Sequence, residues 1–130
     1  MNPSSEDIMD MLVAESLGLA FATNLFIGKE PSGPDNCVTI FDTPGFPPLL
    51  TLTQGENYFY PSIQIRVRNL DYRLGWTLIQ NIRTALHARG QETWNGTLYS
   101  VIFCSSGPAL LDWDDQDRVR FIINFNLRRR

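Results

Sequence analysis

The chain has 130 residues, room for one domain spanning 1–130, and a domain of this size removes about two-thirds of its unfolded surface from water. With 43% hydrophobic and 12% aromatic residues it can close a core without metal or disulfides, and its apolar runs are far too short for a membrane helix. A net charge of −3 and a pI near 5.0 do not suit a plain nucleic-acid binder, which carries a net basic domain.

The first residues are acidic where a secretion signal is basic, so a soluble chain made in the cytosol is expected. Ser4 or Ser5 reads as an N-cap, with Glu6, Asp7 and Asp10 in the first turns, where the helix dipole favours negative charge. Ile8, Met11 and Leu12 give this helix an apolar face, and Gly18 should end it. Residues 20–27 read as a strand. Residues 28–36, rich in Gly and Pro, form a loop that reverses the chain, and 37–42 is the returning strand. Residues 43–60 form a long irregular stretch whose aromatic content argues for function rather than disorder.

Pro61 opens the clearest strand. Ile63, Ile65 and Val67 alternate with Gln64, Arg66 and Arg68, the pattern of a half-buried strand. Asp71 should cap a helix running to about Ala88, with Leu74, Leu78, Ile82, Ala85 and Leu86 inward and Gly90 at the C′ position. Asn95-Gly96 is a turn before a strand over 98–104, Gly107-Pro108 breaks it, and 109–112 resumes it. Asp114 to Asp117 make a hairpin turn into a last strand in which Val119, Phe121, Ile123, Phe125 and Leu127 face one way. The expected fold is α+β: a mostly antiparallel sheet with two helices packed on one face, in the order α-ββ-β-α-βββ.

Catalysis has little to stand on. The single His87 lies in the last turn of the long helix, and one His with two distant Cys gives no zinc spacing. No phosphate loop and no nucleophile signature is present. Cys37 and Cys104 fall in strands and read as reduced, buried thiols. The acidic run from Asp112 to Asp117 lacks the mid-loop Gly and closing Glu of a calcium loop, and reads as a solvated hairpin tip. No enzyme, metal or cofactor is expected.

Charge is unevenly spread. Up to residue 65 there are eight acidic residues against Lys29 alone, and from Arg66 onward six against ten arginines, so the halves carry −7 and +4. Such asymmetry suits a subunit that offers different surfaces to its two neighbours, the heterologous contact that closes rings. Arg66, Arg68 and Arg73, with Arg118 and Arg120, are the candidate subunit-interface residues, because Arg makes the planar bidentate pairs that interfaces favour. Phe46, Tyr58, Phe59 and Tyr60 in the irregular stretch are candidate partner contacts. Both long loops, 28–36 and 43–60, are expected to be mobile until a partner orders them.

Pro61-Ser62-Ile63-Gln64-Ile65-Arg66-Val67-Arg68, followed by Asp71-Tyr72 and a helix with Ile82 and Leu86 before Gly90, resembles the phage minor capsid and tail-terminator families, where a P-x-I-Q-I-x-V-R strand leads into a D-Y helix start. Pro108, Leu111, Asp115, Arg118 and the Asn124-Phe125 strand fit the same pattern. So do the acidic opening helix, Leu25-Phe26-Ile27-Gly28 and Pro34-Asp35. The resemblance implies a virion protein of the tail or neck, assembled in the host cytoplasm. It implies a ring, usually hexameric, that ends tail-tube polymerisation and joins tail to head. Its implied partners are further copies of the chain, the tail tube protein and head–tail connector proteins. DNA enters only as passing cargo in the ring lumen, with no membrane involved and no catalytic residue to carry over. The alternatives are another neck subunit, such as a head–tail joining protein, or a small ligand-binding or regulatory α+β domain.

Overall fold

The computed structural model describes the backbone of residues 1–48, 50–51, 55–56 and 58–130, and the side chains of 1–48 and 58–130. In chain order the elements are α1 (Ser4–Ala14), β1 (Leu25–Ile27), β2 (Cys37–Phe46), β3 (Leu50–Thr51), β4 (Gly55–Glu56), β5 (Tyr60–Asn69), α2 (Tyr72–Leu86), β6 (Glu92–Trp94), β7 (Thr97–Trp113) and β8 (Val119–Arg129). Part of the irregular stretch, residues 49, 52–54 and 57, lies outside the described residues.

The strand with the cleanest alternation is the one the sheet is built around. β5 pairs antiparallel with β2 on one side and β8 on the other, in a six-stranded sheet ordered β1-β2-β5-β8-β7-β6. Ile63, Ile65 and Val67 are fully buried, in register with Phe125, Ile123 and Phe121 of β8. Both helices cover this face: Ile8, Met11 and Leu12 of α1 and Ile79, Ile82 and Leu86 of α2 join the same hydrophobic cluster. The fold is the expected α+β arrangement, with short β3 and β4 pairing apart from the main sheet.

Several local expectations are corrected. Neither Ser4 nor Ser5 caps α1; Pro3 holds that position and both serines are buried in the first turn. The free amide there is met from another element, since Ser5 N and Oγ donate to the Asp42 carboxylate at 3.0 and 2.6 Å. The strand expected over 20–27 shortens to Leu25–Ile27, because Asn24 ties residues 18–24 into a turn, accepting from Ala20 N at 2.8 Å and donating to Gly18 O at 2.9 Å. β1 and β2 are parallel, so residues 28–36 do not close a hairpin.

Asp71 caps α2 as expected, accepting from Leu74 N at 2.9 Å, but the helix presents another face. Gly75, Ile79, Ile82 and Leu86 are buried, whereas Leu74 is 61% exposed. The reason is Gly75: a Cβ there would stand 3.0 Å from the Phe121 ring, so the helix backbone lies directly on β8 and turns Leu74 outward. The left-handed residue after α2 is Ala88, not Gly90. Gly90 is needed for close approach, since a Cβ there would sit 2.5 Å from Ser100 O. Gly107-Pro108 does not break a strand; β7 runs through it, absorbing it as a register shift between Ser106 and Ala109.

Truncation should read out the helix face directly. Ile65→Ala and Ile79→Ala are each expected to cost about 2–5 kcal/mol in urea unfolding, a transfer term plus a cavity term. Leu74→Ala should stay within about 0.5 kcal/mol. Gln64→Ala should cost about 1 kcal/mol for its half-exposed hydrogen bonds to Asn124 and Arg66.

Candidate functional site

The face of the sheet away from the helices carries the polar half of each alternating strand. Register sets Cys37, Arg68, Arg120 and Asp112 side by side across β2, β5, β8 and β7, with Thr39, Arg66, Ile122 and Ala109 forming the next row, two residues further along β2, β5 and β8. Residues 28–36 fold over these arginines. The Glu30 carboxylate lies 3.5 Å from Arg66, 3.4 Å from Arg68 and 3.1 Å from Arg120. Arg68 donates to three loop carbonyls, Pro31 at 2.5 Å, Pro34 at 2.6 Å and Asp35 at 3.3 Å. Arg118 donates to Ser32 O at 2.7 Å and pairs with Asp35 and Asp114. Arg120 grips Asp112 through both oxygens, at 2.6 and 2.5 Å. That bidentate fork is geometry that lysine cannot supply.

This arrangement changes the reading of the arginines. Arg68 and Arg118 are 3% and 5% exposed, and Nε, Nη1 and Nη2 of Arg68 and Nε and Nη1 of Arg118 bond within the chain, so little of either guanidinium is open to solvent. They were expected on an outward face; the loop above them makes that face interior. Arg66 and Arg120 keep a partly exposed edge while pairing with Glu30, and Arg73 is exposed on α2. The four arginines 66, 68, 118 and 120 meet four carboxylates, Glu30, Asp35, Asp112 and Asp114, so the cluster is neutral. Of the two loops expected to be mobile, residues 28–36 are tied to the sheet by these bonds. Hydrogen bonding to Arg120 holds the Asp112 carboxyl below its ordinary value, and burial pushes the Cys37 thiol up despite Arg68 nearby, leaving it a poor nucleophile. Alongside lies an open cleft of about 880 Å³ between these guanidiniums and Phe21, Phe26 and Lys29.

The chain ends are clasped at the far side. Asp7, fully buried in α1, accepts from Tyr99 Oη in a short hydrogen bond and from Asn95 Nδ2 at 2.6 Å, with Arg129 3.8 Å away. Burial and the Asp7 carboxylate push the Tyr99 phenol well above its ordinary value. The Nδ1 of His87 accepts from Cys104 N at 3.0 Å, fastening the end of α2 to β7. Both cysteines are free.

Of the four candidate contact aromatics only Phe46 stands clear, at 70% exposed. Phe59 pairs its backbone with Arg129 at 2.8 and 3.0 Å, and the Tyr58 ring lies under Arg128 at 4.1 Å and Arg130 at 5.2 Å. Phe46 and Tyr60 join Val101, Phe103 and Leu127 around a small apolar groove of about 210 Å³. A second exposed apolar region, unforeseen in the sequence, gathers Tyr72 and Trp76 of α2 with Leu110 and Trp113 of β7. The signal available for it was Tyr72 and Trp76 one helical turn apart, beside the stripe that the core uses.

The geometry thus offers a tied loop over residues 28–36 and exposed apolar surface. The sequence matches the family model described as bacteriophage tail terminator protein over residues 5–129. The chain belongs to the bacteriophage tail terminator family, a family of virion structural proteins. Among solved structures, it is similar to a chain in the virion of a native gene transfer agent particle, with a TM-score of 0.71 at 12% identity, over 96% of this chain and 92% of that one. At that identity the likeness shows the fold alone. No protein with a curated description matches the sequence.

Glu30→Ala should leave Arg66, Arg68 and Arg120 facing one another beneath the loop. We expect a loss of about 3 kcal/mol, the scale for breaking a buried pair from one side, and faster proteolysis within residues 28–36. Acid should act in the same direction through Asp112. Its carboxyl titrates lower in the folded chain than the ordinary 3.8, so its contribution is complete above that value and is lost as pH falls through the lower folded value. In Asp112→Asn, the fall of unfolding free energy between neutral pH and about pH 3 should be shallower than in the wild type.

Proposed function

We propose that this chain forms a ring, hexameric in the simplest case, at the head-proximal end of a phage tail tube. There it ends tube polymerisation and presents the surface that joins tail to head. The observation that carries this reading is the family match over residues 5–129. It is supported by a subunit whose charged cluster is neutral and whose exposed side chains include Phe21, Phe46, Tyr72, Trp76 and Trp113, since exposed apolar patches mark interaction sites. In this reading the partners are further copies of the chain, the tail tube protein and the connector proteins of the head, and the role is not enzymatic. DNA passes through the lumen as cargo. Among the predicted interface arginines, Arg73 is exposed and forms no ion pair among the described residues, so it is the foremost candidate to meet a neighbour, with the exposed edges of Arg66 and Arg120 second. Phe46 is the foremost contact of the irregular stretch.

Native mass spectrometry and negative-stain images should show a closed ring of one stoichiometry. Added to polymerising tail tube protein, the chain should halt growth and cap one end. A chain that stays monomeric and leaves tube lengths unchanged would sink the proposal. Arg73→Glu should lower ring yield and alter its salt sensitivity without changing subunit stability beyond about 0.5 kcal/mol.

A further inference from the structure

With Arg66, Arg68, Arg118 and Arg120 paired internally, the subunit keeps, besides the Phe46 groove, two exposed apolar features on opposite edges of the sheet. The first lies on the helix side at the β7 edge. β6 covers β7 only at Thr97 to Tyr99, so the Trp113 end of β7 is a true edge. There Trp113 stacks on Tyr72 with ring centroids 6.2 Å apart, and Trp76 meets Phe121 edge-on at 5.5 Å. Even so packed, Tyr72, Leu110 and Trp113 remain 50%, 48% and 49% exposed. The second lies at the β1 edge, where Phe21, 56% exposed, bridges to Leu25 and stands with Phe26 at one end of the large cleft.

The charges left over at the two places are opposite. Asp115 and Asp117 sit exposed in the hairpin turn next to Trp113, and Lys29 sits exposed on the cleft beside Phe21 and Phe26. Among the described residues none of the three forms an ion pair, although the charges around them do.

We propose that the aromatic patch of Tyr72, Trp76, Leu110 and Trp113 on one subunit seats against the Phe21 and Phe26 end of the cleft on a second copy, with Lys29 facing Asp115 and Asp117. This rests on the ring reading and adds which surfaces mate. Two unlike surfaces on opposite edges form a heterologous contact, so every partial assembly keeps one of each free and grows until the rotation closes. Tryptophan and tyrosine in a desolvated patch are the side chains that dominate such interfaces, while a few opposite charges at the rim set register and partner choice.

Trp113→Ala and Phe21→Ala, each made in the full chain, test the pairing, with unfolding curves to show that both variants fold. Each should raise the concentration needed for assembly in sedimentation velocity by roughly 30-fold, the scale of a hot-spot truncation. Mixing them should give dimers and no rings, because the intact patch of one variant fits the intact cleft end of the other. Lys29→Glu should weaken assembly, and adding Asp115→Lys to the same chain should restore it. If the wild type forms rings and either truncation assembles as readily, the pairing is wrong while the ring stands. If Trp113→Ala fails and Phe21→Ala does not, the patch meets some other surface and the pairing is likewise wrong. A wild-type chain that remains monomeric overturns both.

Discussion

Residues 28–36 leave β1 and return to start β2 beside it in the same direction. A hairpin would satisfy its own backbone, but a short parallel return cannot, and its carbonyls must find donors elsewhere. Arg68 and Arg118 supply them, reaching the carbonyls of Pro31, Ser32, Pro34 and Asp35. Guanidiniums brought under a loop need carboxylates in turn, and Glu30, Asp35, Asp112 and Asp114 are placed for that. The position of β1, the neutrality of the open face and the shape of the cleft all follow from this one requirement.

The same logic explains the uneven charge along the chain. Six of the nine ion pairs among the described residues join an acidic residue of the first half to an arginine of the second. The asymmetry is the sequence image of two halves folded against each other. At the other end of the molecule Asp7 performs the equivalent task for the termini, its carboxylate buried among Tyr99, Asn95 and Arg129. A buried carboxylate is tolerated only with such partners, so α1 is located by polar contacts as well as by Ile8, Met11 and Leu12.

Local alternation was enough to read β5 and β8, because a strand covered on one face repeats every second residue and Ile63, Ile65, Val67, Phe121, Ile123 and Phe125 do so without interruption. Asp71 announced its helix for a similarly local reason. What could not be read depends on distant residues. The rotation of α2 is set by Gly75 lying on Phe121, the cap of α1 comes from Asp42, and the burial of Arg68 and Arg118 comes from a loop more than thirty residues earlier. Arg68 alternates with core residues as an exposed side chain would. Only the tertiary path of residues 28–36 distinguishes a solvated arginine from one with all three guanidinium nitrogens engaged. The aromatic patch was hidden for the same reason, since Tyr72 and Trp113 are brought together only by packing.

Pairing charges inside the subunit has a consequence for how subunits can meet. A surface rich in unpaired arginine would bind any polyanion and lose affinity steeply with salt. Here the partly buried pairs are shielded from bulk ions and respond weakly to ionic strength, while Lys29, Asp115, Asp117 and Arg73 remain in solvent. In the proposed ring, contact between subunits would then draw its affinity from apolar side chains and its register from a few rim charges, which salt screens. In the proposed ring, where DNA would pass through the lumen, that division would keep the groups that join subunits distinct from those that a phosphate backbone attracts.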